Sequence, residues 1–220
     1  MKITYLGHSA FEFQTENYKI LIDPFLIKAP DYDVNGVTDI FVTHGHSDHL
    51  GNAIDISRKT GAEITAIFEL ANYCTSKGAN ANGISFGGWI KFPWGKAIAV
   101  PAFHSSSSPE GFYTGSPCGF IFEIENKIIY HAGDNNLNSE MKIIGEVYKP
   151  ELAMLPIGGH YTMDIDHATI ASQWIGAEKI IPMHYGTFEV INVDIESFKT
   201  KISEVGKNPV VLAIREGLEF

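Results

Sequence analysis

Arginine is almost missing from this chain. Only Arg58 and Arg215 occur among 220 residues, no lysine cluster replaces them, and the formal charge is −10. A protein that tracks a nucleic-acid backbone needs a basic stripe, because phosphate contacts dominate that affinity. The lack of one argues against a nuclease or any nucleic-acid partner. Cysteine is scarce as well. Cys74 and Cys118 lack the spacing of a disulfide framework or a thiolate zinc site, so both read as buried thiols. Long apolar runs are absent. No stretch approaches the ~20 residues that span a bilayer, so no membrane partner is expected. The N-terminus has no charged, apolar and cleavable segments in series, so the chain reads as mature and cytoplasmic. Two catalytic signatures are missing too. There is no Gly-x-Ser-x-Gly elbow for a serine hydrolase and no Walker-type phosphate loop.

What is present is an ordinary globular composition, 45% hydrophobic and 19% charged, enough to bury a sizeable core. No linker or charge block divides it, so residues 1–220 read as one domain. Strands are expected at Lys2–Leu6, Ala10–Gln14, Lys19–Ile22, Asp39–Thr43, Glu63–Phe68, Ile84–Phe92, Lys96–Pro101, Gly119–Ile124, Ile128–Ala132, Leu152–Leu155, Lys179–Met183 and Val210–Ile214. Helices are expected at Leu50–Thr60, Leu70–Lys77, Ser139–Tyr148, His167–Ile175 and Ile195–Val205. Gly61 serves as one stop and Asp166 as one N-cap. Grouped strands with helices between them, in two similar halves, suggest an α/β sandwich of two packed sheets.

Ligand-type residues cluster after these strands. Residues 44–49 read His-Gly-His-Ser-Asp-His directly after Ile40-Phe41-Val42-Thr43. Imidazole and carboxylate suit zinc, manganese and iron, and four such side chains in six residues can serve one ion or two. His8, His104, Asp134, His160 and His184 each follow another expected strand. Strand ends in α/β architectures converge on one edge, where sites are built.

In this order of motifs the chain resembles the metallo-β-lactamase-fold superfamily. The match is His-x-His-x-Asp-His at 44–49, His104, Gly133-Asp134 and His184. It covers essentially the whole chain. Gly7-His8-Ser9-Ala10-Phe11, Pro156-Ile157-Gly158-Gly159 and Pro182-Met183-His184-Tyr185-Gly186 further resemble its small single-domain metal-dependent hydrolases near the ascorbate-6-phosphate lactonase-like branch. The resemblance implies a four-layer αββα sandwich with two mixed β-sheets flanked by helices. It also implies two divalent metal ions, zinc first, with manganese or iron compatible. His44, His46 and His104 would hold one ion, Asp48, His49 and His184 the other, and Asp134 would bridge them. One departure stands out. Asn135 replaces the threonine expected after Gly-Asp, which places it outside the metal shell.

The implied chemistry is hydrolysis of an ester, lactone, amide or phosphoester bond of a small molecule by a water that the metal pair activates. Asp48 would orient that water. His8 and His160 are candidates for proton transfer or substrate contact. His8 reads equally well as a buried hydrogen-bonding residue, and Gly158-Gly159 permits an unusual backbone before His160. His131 reads as structural and His167 as a solvated helix residue. Asp164 either orients an imidazole or shapes the turn before a helix. The Ser- and Gly-rich stretch after His104, to Pro117, reads as a mobile loop bordering the substrate, with Ser105, Tyr113 and Thr114 as hydrogen-bonding candidates. Lys96 is a candidate for holding a small phosphorylated substrate. Two alternatives stay open, an iron-dependent, dioxygenase-like oxidoreductase on the same ligands and a non-catalytic metal-binding or sensory protein. The absence of a flavodoxin-like domain and of a Cys-rich segment lowers the first. Self-association into a homo-oligomer is left open.

Overall fold

The computed structural model describes residues 1–220. The chain folds as two units, residues 1–86 with 105–117 and 212–220, and residues 87–104 with 118–211.

The first unit is built on a seven-stranded mixed sheet. Its strands are β1 (Lys2–Gly7), β2 (Ala10–Gln14), β3 (Lys19–Ile22), β4 (Asp39–Phe41), β5 (Glu63–Ile67), β6 (Ala81–Ile84) and β14 (Gly217–Glu219), in the order β14-β1-β2-β3-β4-β5-β6. Pairing is antiparallel from β14 to β3 and parallel from β3 to β6. Helices α1 (Ser47–Leu50), α2 (Ala53–Thr60) and α3 (Phe68–Ser76) connect the parallel strands. They close a core of Leu21, Ile40, Val42, Ile56, Ile64 and Leu70, all buried. The parallel strands are short apolar runs, as strands covered on both faces must be.

The second unit repeats this plan. Its strands are β7 (Ile90–Phe92), β8 (Gly95–Pro101), β9 (Cys118–Ile124), β10 (Lys127–His131), β11 (Leu152–Pro156), β12 (Lys179–Met183) and β13 (Asn208–Pro209), in the order β13-β12-β11-β10-β9-β8-β7. Here β10 to β13 are parallel and β7 to β10 antiparallel. Helices α4 (Glu140–Tyr148), α5 (Ile165–Ile175) and α6 (Ile195–Glu204) bury Met141, Ile144, Ala168, Ala171, Phe198 and Ile202. The fold class is thus α/β, with two mixed sheets flanked by helices. No helix is long and apolar enough to cross a membrane.

Several expected elements change. The helix expected at Leu50–Thr60 begins earlier and breaks in two at Gly51. A Cβ there would come within 2.6 Å of Phe25 Cα and Pro24 O, so the chain turns beneath that loop. The strand expected at Ile84–Phe92 is two strands in different sheets, β6 and β7, separated by Gly87-Gly88. The N-cap of α5 is Asp164, not Asp166. Its carboxylate accepts a hydrogen bond from His167 N at 2.8 Å, so Asp164 shapes the turn. The closing strand expected at Val210–Ile214 does not form. Pairing falls instead on β13 and β14 to either side of it, with Arg215 N bonded to Tyr5 O.

Strand direction carries the most weight for function. In the first unit β1, β3 and β4 run the same way, because two antiparallel steps separate β1 from β3. In the second unit β8, β10, β11 and β12 run the same way by the same reasoning. Every candidate ligand follows the C-terminal end of one of these strands, so each unit gathers its candidates at one edge of its sheet.

Candidate metal centre

In the first unit the organising residue is Asp23, at the end of β3. It is fully buried. Its Oδ1 accepts from Thr43 N at 2.8 Å, and its Oδ2 accepts from Thr43 Oγ1 and His49 Nδ1, each at 2.7 Å. The Thr43 hydroxyl, having given its proton to Asp23, accepts from His44 Nδ1 at 3.1 Å. One carboxylate therefore sets the tautomer of two imidazoles, directly for His49 and through Thr43 for His44. Both rings then present Nε2 as the lone-pair nitrogen, the arrangement that metal-ligating histidines show.

The remaining candidates of this unit crowd around these two rings. His44 Nε2 lies 3.0 Å from His46 Nδ1. The His44 and His49 ring centroids are 4.2 Å apart. His8 is buried and its Nε2 lies 3.1 Å from Asp48 Oδ2. Ligand-type atoms of His8, Asp48 and His49 lie within 4.8 Å of one another. His8 is held in the left-handed region, at φ 56°, and Tyr5 OH donates to its carbonyl. Asp23 is left-handed as well, at φ 44°.

In the second unit Asp134 receives two imidazoles. Its Oδ2 lies 3.4 Å from His104 Nε2 and 3.1 Å from His184 Nε2. Asp134 and His184 are buried. His184 adopts φ 55° at the end of β12. Its carbonyl packs against Gly158, where a Cβ would overlap that oxygen and approach Ile191 Cβ to 2.9 Å. Asn135 ties the loops together. Its Oδ1 accepts from Phe103 N and Asn138 Nδ2, each at 2.9 Å, and its carbonyl accepts from Met163 N at 3.0 Å. The residue before His104 and the residue after Asp134 are thus joined by one amide. Asn135→Ala should weaken metal binding about tenfold while the protein stays folded, since loss of such outer contacts has that scale. Equilibrium dialysis with metal analysis measures it.

The other candidates separate. His160 is exposed, at φ 58°, with its ring edge-on to Tyr161. His131 is buried and its Nδ1 accepts from Gly133 N. His167 is half-exposed. Lys96 pairs with Glu123 at 2.7 Å and lies over the Trp89 ring. Thr114 is buried and bonded to Ser106 Oγ at 2.7 Å, so it supports the loop, while Ser105 and Tyr113 are exposed. Cys74 and Cys118 are buried and form no disulfide, and burial pushes the Cys74 thiol up to about 12. Asp23 escaped the sequence reading. The signal was there, an aspartate directly after the apolar strand Lys19–Ile22, which is the same strand-end rule that singled out the other candidates.

The stretch after His104 is not the loose loop expected. Ser107 and Tyr113 pair across a hairpin, Ser108 N donates to Phe112 O at 2.7 Å, and Gly111 N donates to Ser108 O at 2.8 Å. Glu110, at its turn, accepts from Lys77 Nζ at 2.6 Å, Tyr73 OH at 2.7 Å and Ser108 Oγ at 3.0 Å. Those bonds, Lys77 first, lower its carboxyl from 4.5 to about 2. A depressed carboxylate stabilises the fold fully above pH 4.5, and the contribution fades as pH falls toward 2. Glu110→Gln should lower amide protection at 108, 111 and 112 about twofold to fivefold at neutral pH, the scale of an exposed ion pair. Wild-type protein should lose the same protection only in acid. Hydrogen exchange over pH checks both.

Imidazole nitrogens and carboxylate oxygens make up the donor set in both units, and in the first unit Asp23 fixes the His44 and His49 rings from behind. That chemistry fits divalent zinc, manganese or iron. Comparison with known proteins likewise points to metal dependence. Residues 2–184 match the model of the β-lactamase superfamily domain. A UPF0173 metal-dependent hydrolase of Methanosarcina barkeri is 45% identical over 228 residues, covering 100% of this chain and 99% of the relative. Another, of Methanopyrus kandleri, is 42% identical over 230 residues, with 100% and 99% coverage. Igni18, a metallo hydrolase of Ignicoccus hospitalis, superposes with a TM-score of 0.89 at 37% identity, covering 100% of this chain and 98% of that one.

Proposed function

The chain belongs to the β-lactamase superfamily and, within it, to the UPF0173 metal-dependent hydrolases, and from that premise we propose that it hydrolyses an ester, lactone, amide or phosphoester of a small molecule at a dinuclear metal centre. We read residues 1–220 as one domain made of the two similar units. His44, His46 and His104 would hold one cation, Asp48, His49 and His184 the second, with Asp134 shared. Zinc suits the set best, and manganese and iron remain compatible. The observation that carries the reading is the Asp23 network, in which one buried carboxylate holds His44 and His49 through their Nδ1 atoms and leaves each Nε2 as the lone-pair nitrogen. A buried polar relay of this kind is costly unless it serves the groups it orients.

Held by these residues, two divalent ions would supply a water acidified toward a pKa of about 7 and a Lewis acid for the carbonyl or phosphoryl oxygen. The protein supplies the rest. Asp48 orients the attacking water and takes up its proton at the carboxylate. His8 Nε2, 3.1 Å from Asp48 Oδ2, holds that carboxylate in one rotamer and shares the proton with it. Its burial suits this better than contact with substrate. His160, exposed on a strained turn, is placed to donate a proton to the leaving group. A left-handed non-glycine residue costs about 1–3 kcal/mol and persists where surrounding structure enforces it.

The test starts with protein purified anaerobically and analysed for metal, then screened against esters, lactones, amides and phosphoesters. Exhaustive chelation should abolish turnover, and return of zinc, manganese or iron should restore it. Full activity in verified metal-free protein would overturn the reading. Substrate-dependent oxygen uptake by iron-loaded protein, with no hydrolysis, would replace it with oxidoreductase chemistry. A metal-loaded protein inert in both assays would point to a binding or sensory role.

A further inference from the structure

The first unit holds a cleft of about 490 Å³ between the loop that follows β3 and helix α2. Its apolar lining is Phe25, Leu26, Ile27, Tyr32, Val34 and Ile56, and none of the candidate metal ligands lines it. That volume lies in the range of small-molecule sites, which are concave, mostly apolar and largely preformed. A concavity of this size admits a chain or a ring, not the broad face of another protein.

Both walls are held by hydrogen bonds. Leu26 N donates to Asn52 Oδ1 at 3.1 Å, and Asn52 N donates to Pro24 O at 2.9 Å. The loop is thereby stitched to the start of α2. Further along it, Tyr32 OH donates to the Glu12 carboxylate, and Lys19 Nζ lies 4.6 Å from the centre of the Tyr32 ring. The cleft is therefore preformed, and it leaves Ile27 56% exposed.

The polar groups along the cleft decide what fits it. Asn52, Asp55, Ile56 and Lys59 follow a helical spacing, so one face of α2 forms a wall. The Asp55 carboxylate faces Arg58 at 3.9 Å. Asn52 engages only its oxygen within the protein, which leaves its amide N–H groups to offer. Lys59 lines the cleft and makes no hydrogen bond or ion pair. The unengaged groups are thus donors, and one of them is a cation. Seven residues of helix, about 10 Å, separate the two. Asn52 stands at the Leu26 end, so Lys59 marks the other. The complement is a slender molecule of about that length, apolar along its body, with one anionic head.

We propose that this cleft is a second ligand site, which takes a medium-chain carboxylate with its head at Lys59 and its tail along Ile56, Ile27 and Phe25. The site lies close behind the candidate metal centre. The Phe25 ring stands edge-on to His8, with centroids 5.8 Å apart, so the tail ends against the residue that backs His8.

Octanoate is the probe, read by methyl NMR on full-length, zinc-loaded protein labelled at isoleucine, leucine and valine. Saturable shifts should appear at Leu26, Ile27, Val34 and Ile56. Octanoate should bind about tenfold tighter than butyrate, part of what full burial of four methylenes would give. Lys59→Gln should weaken octanoate about threefold to fivefold, the scale of an exposed ion pair, and leave octanol unchanged. Ile27→Ser should shrink the chain-length ratio to about threefold. In wild type, octylammonium should bind more weakly than octanoate. Shifts confined to Val42 and Leu50, beside the ligand motif, would mean that the carboxylate sits on zinc and would overturn the proposal. So would octylammonium binding as tightly as octanoate, or an unchanged octanoate affinity in Lys59→Gln. Cleft shifts that follow protein concentration without octanoate would assign the face to a second copy and overturn it too. Hydrolysis assays read the metal centre and these shifts read the cleft, so the two proposals fail separately.

Discussion

Asp23→Ala should be the most damaging single substitution in the first unit. It removes the acceptor for Thr43 N, Thr43 Oγ1 and His49 Nδ1 at once and leaves three buried donors without their carboxylate. Breaking a buried charged network by removing one partner costs about 3–5 kcal/mol. That is a large fraction of the stability of a domain this size. Metal affinity should fall by about 100-fold, the upper range for loss of an orienting partner, because His44 and His49 lose their common support. Asp23→Asn separates the two effects. The amide keeps the shape and one acceptor, so the fold should survive, with a melting temperature closer to wild type. Its NH₂ group cannot accept from His49 Nδ1, so the ring loses its fixed tautomer and affinity should still drop at least about tenfold. Thermal unfolding of metal-free protein, set beside metal titration, reads each arm. An asparagine variant that binds metal like wild type would show that Asp23 acts on stability alone.

Gly158→Ala should have the second large effect, for a steric reason. The new methyl would overlap the His184 carbonyl oxygen and crowd Ile191 Cβ. That oxygen belongs to the backbone of a residue already held at φ 55°, so the clash cannot be relieved by turning a side chain. Overpacking of this kind costs about 1–3 kcal/mol, and the backbone shift carries the His184 ring with it. Zinc retained after dialysis should fall sharply. Gly176→Ala is the matched control. Gly176 ends α5 at φ 79° with nothing within 4 Å of a Cβ, so alanine there should cost about 1 kcal/mol from backbone strain and leave metal content unchanged. Equal metal loss in both variants would mean that the effect is general destabilisation.

The strands and the ligand candidates were largely legible in the sequence, because apolar runs and strand-end polar residues are local signals. Lys19–Ile22 and Lys179–Met183 have the bounds expected of them. What could not be read depends on contacts remote in the chain. The break at Gly51 follows from the approach of Pro24 and Phe25. The division of Ile84–Phe92 between two sheets follows from pairing partners that periodicity does not name. The serine-rich stretch looked loose because Ser and Gly favour turns, yet Glu110 ties it to α3. Asp166 looked like a helix cap because it stands nearest the apolar periodicity, whereas Asp164, two residues earlier, holds the His167 amide. Asp23 was missed because a single aspartate before a proline usually marks only a turn.

Three of the histidines discussed, His8, His160 and His184, sit in left-handed backbone. For anyone seeking a more heat-resistant version of this enzyme, they form a trap. Glycine or asparagine at each would relax the main chain and raise the melting point. The same exchanges would delete an imidazole from the proposed site, so a library ranked on thermal survival alone would enrich sturdy molecules stripped of the groups assigned to the chemistry.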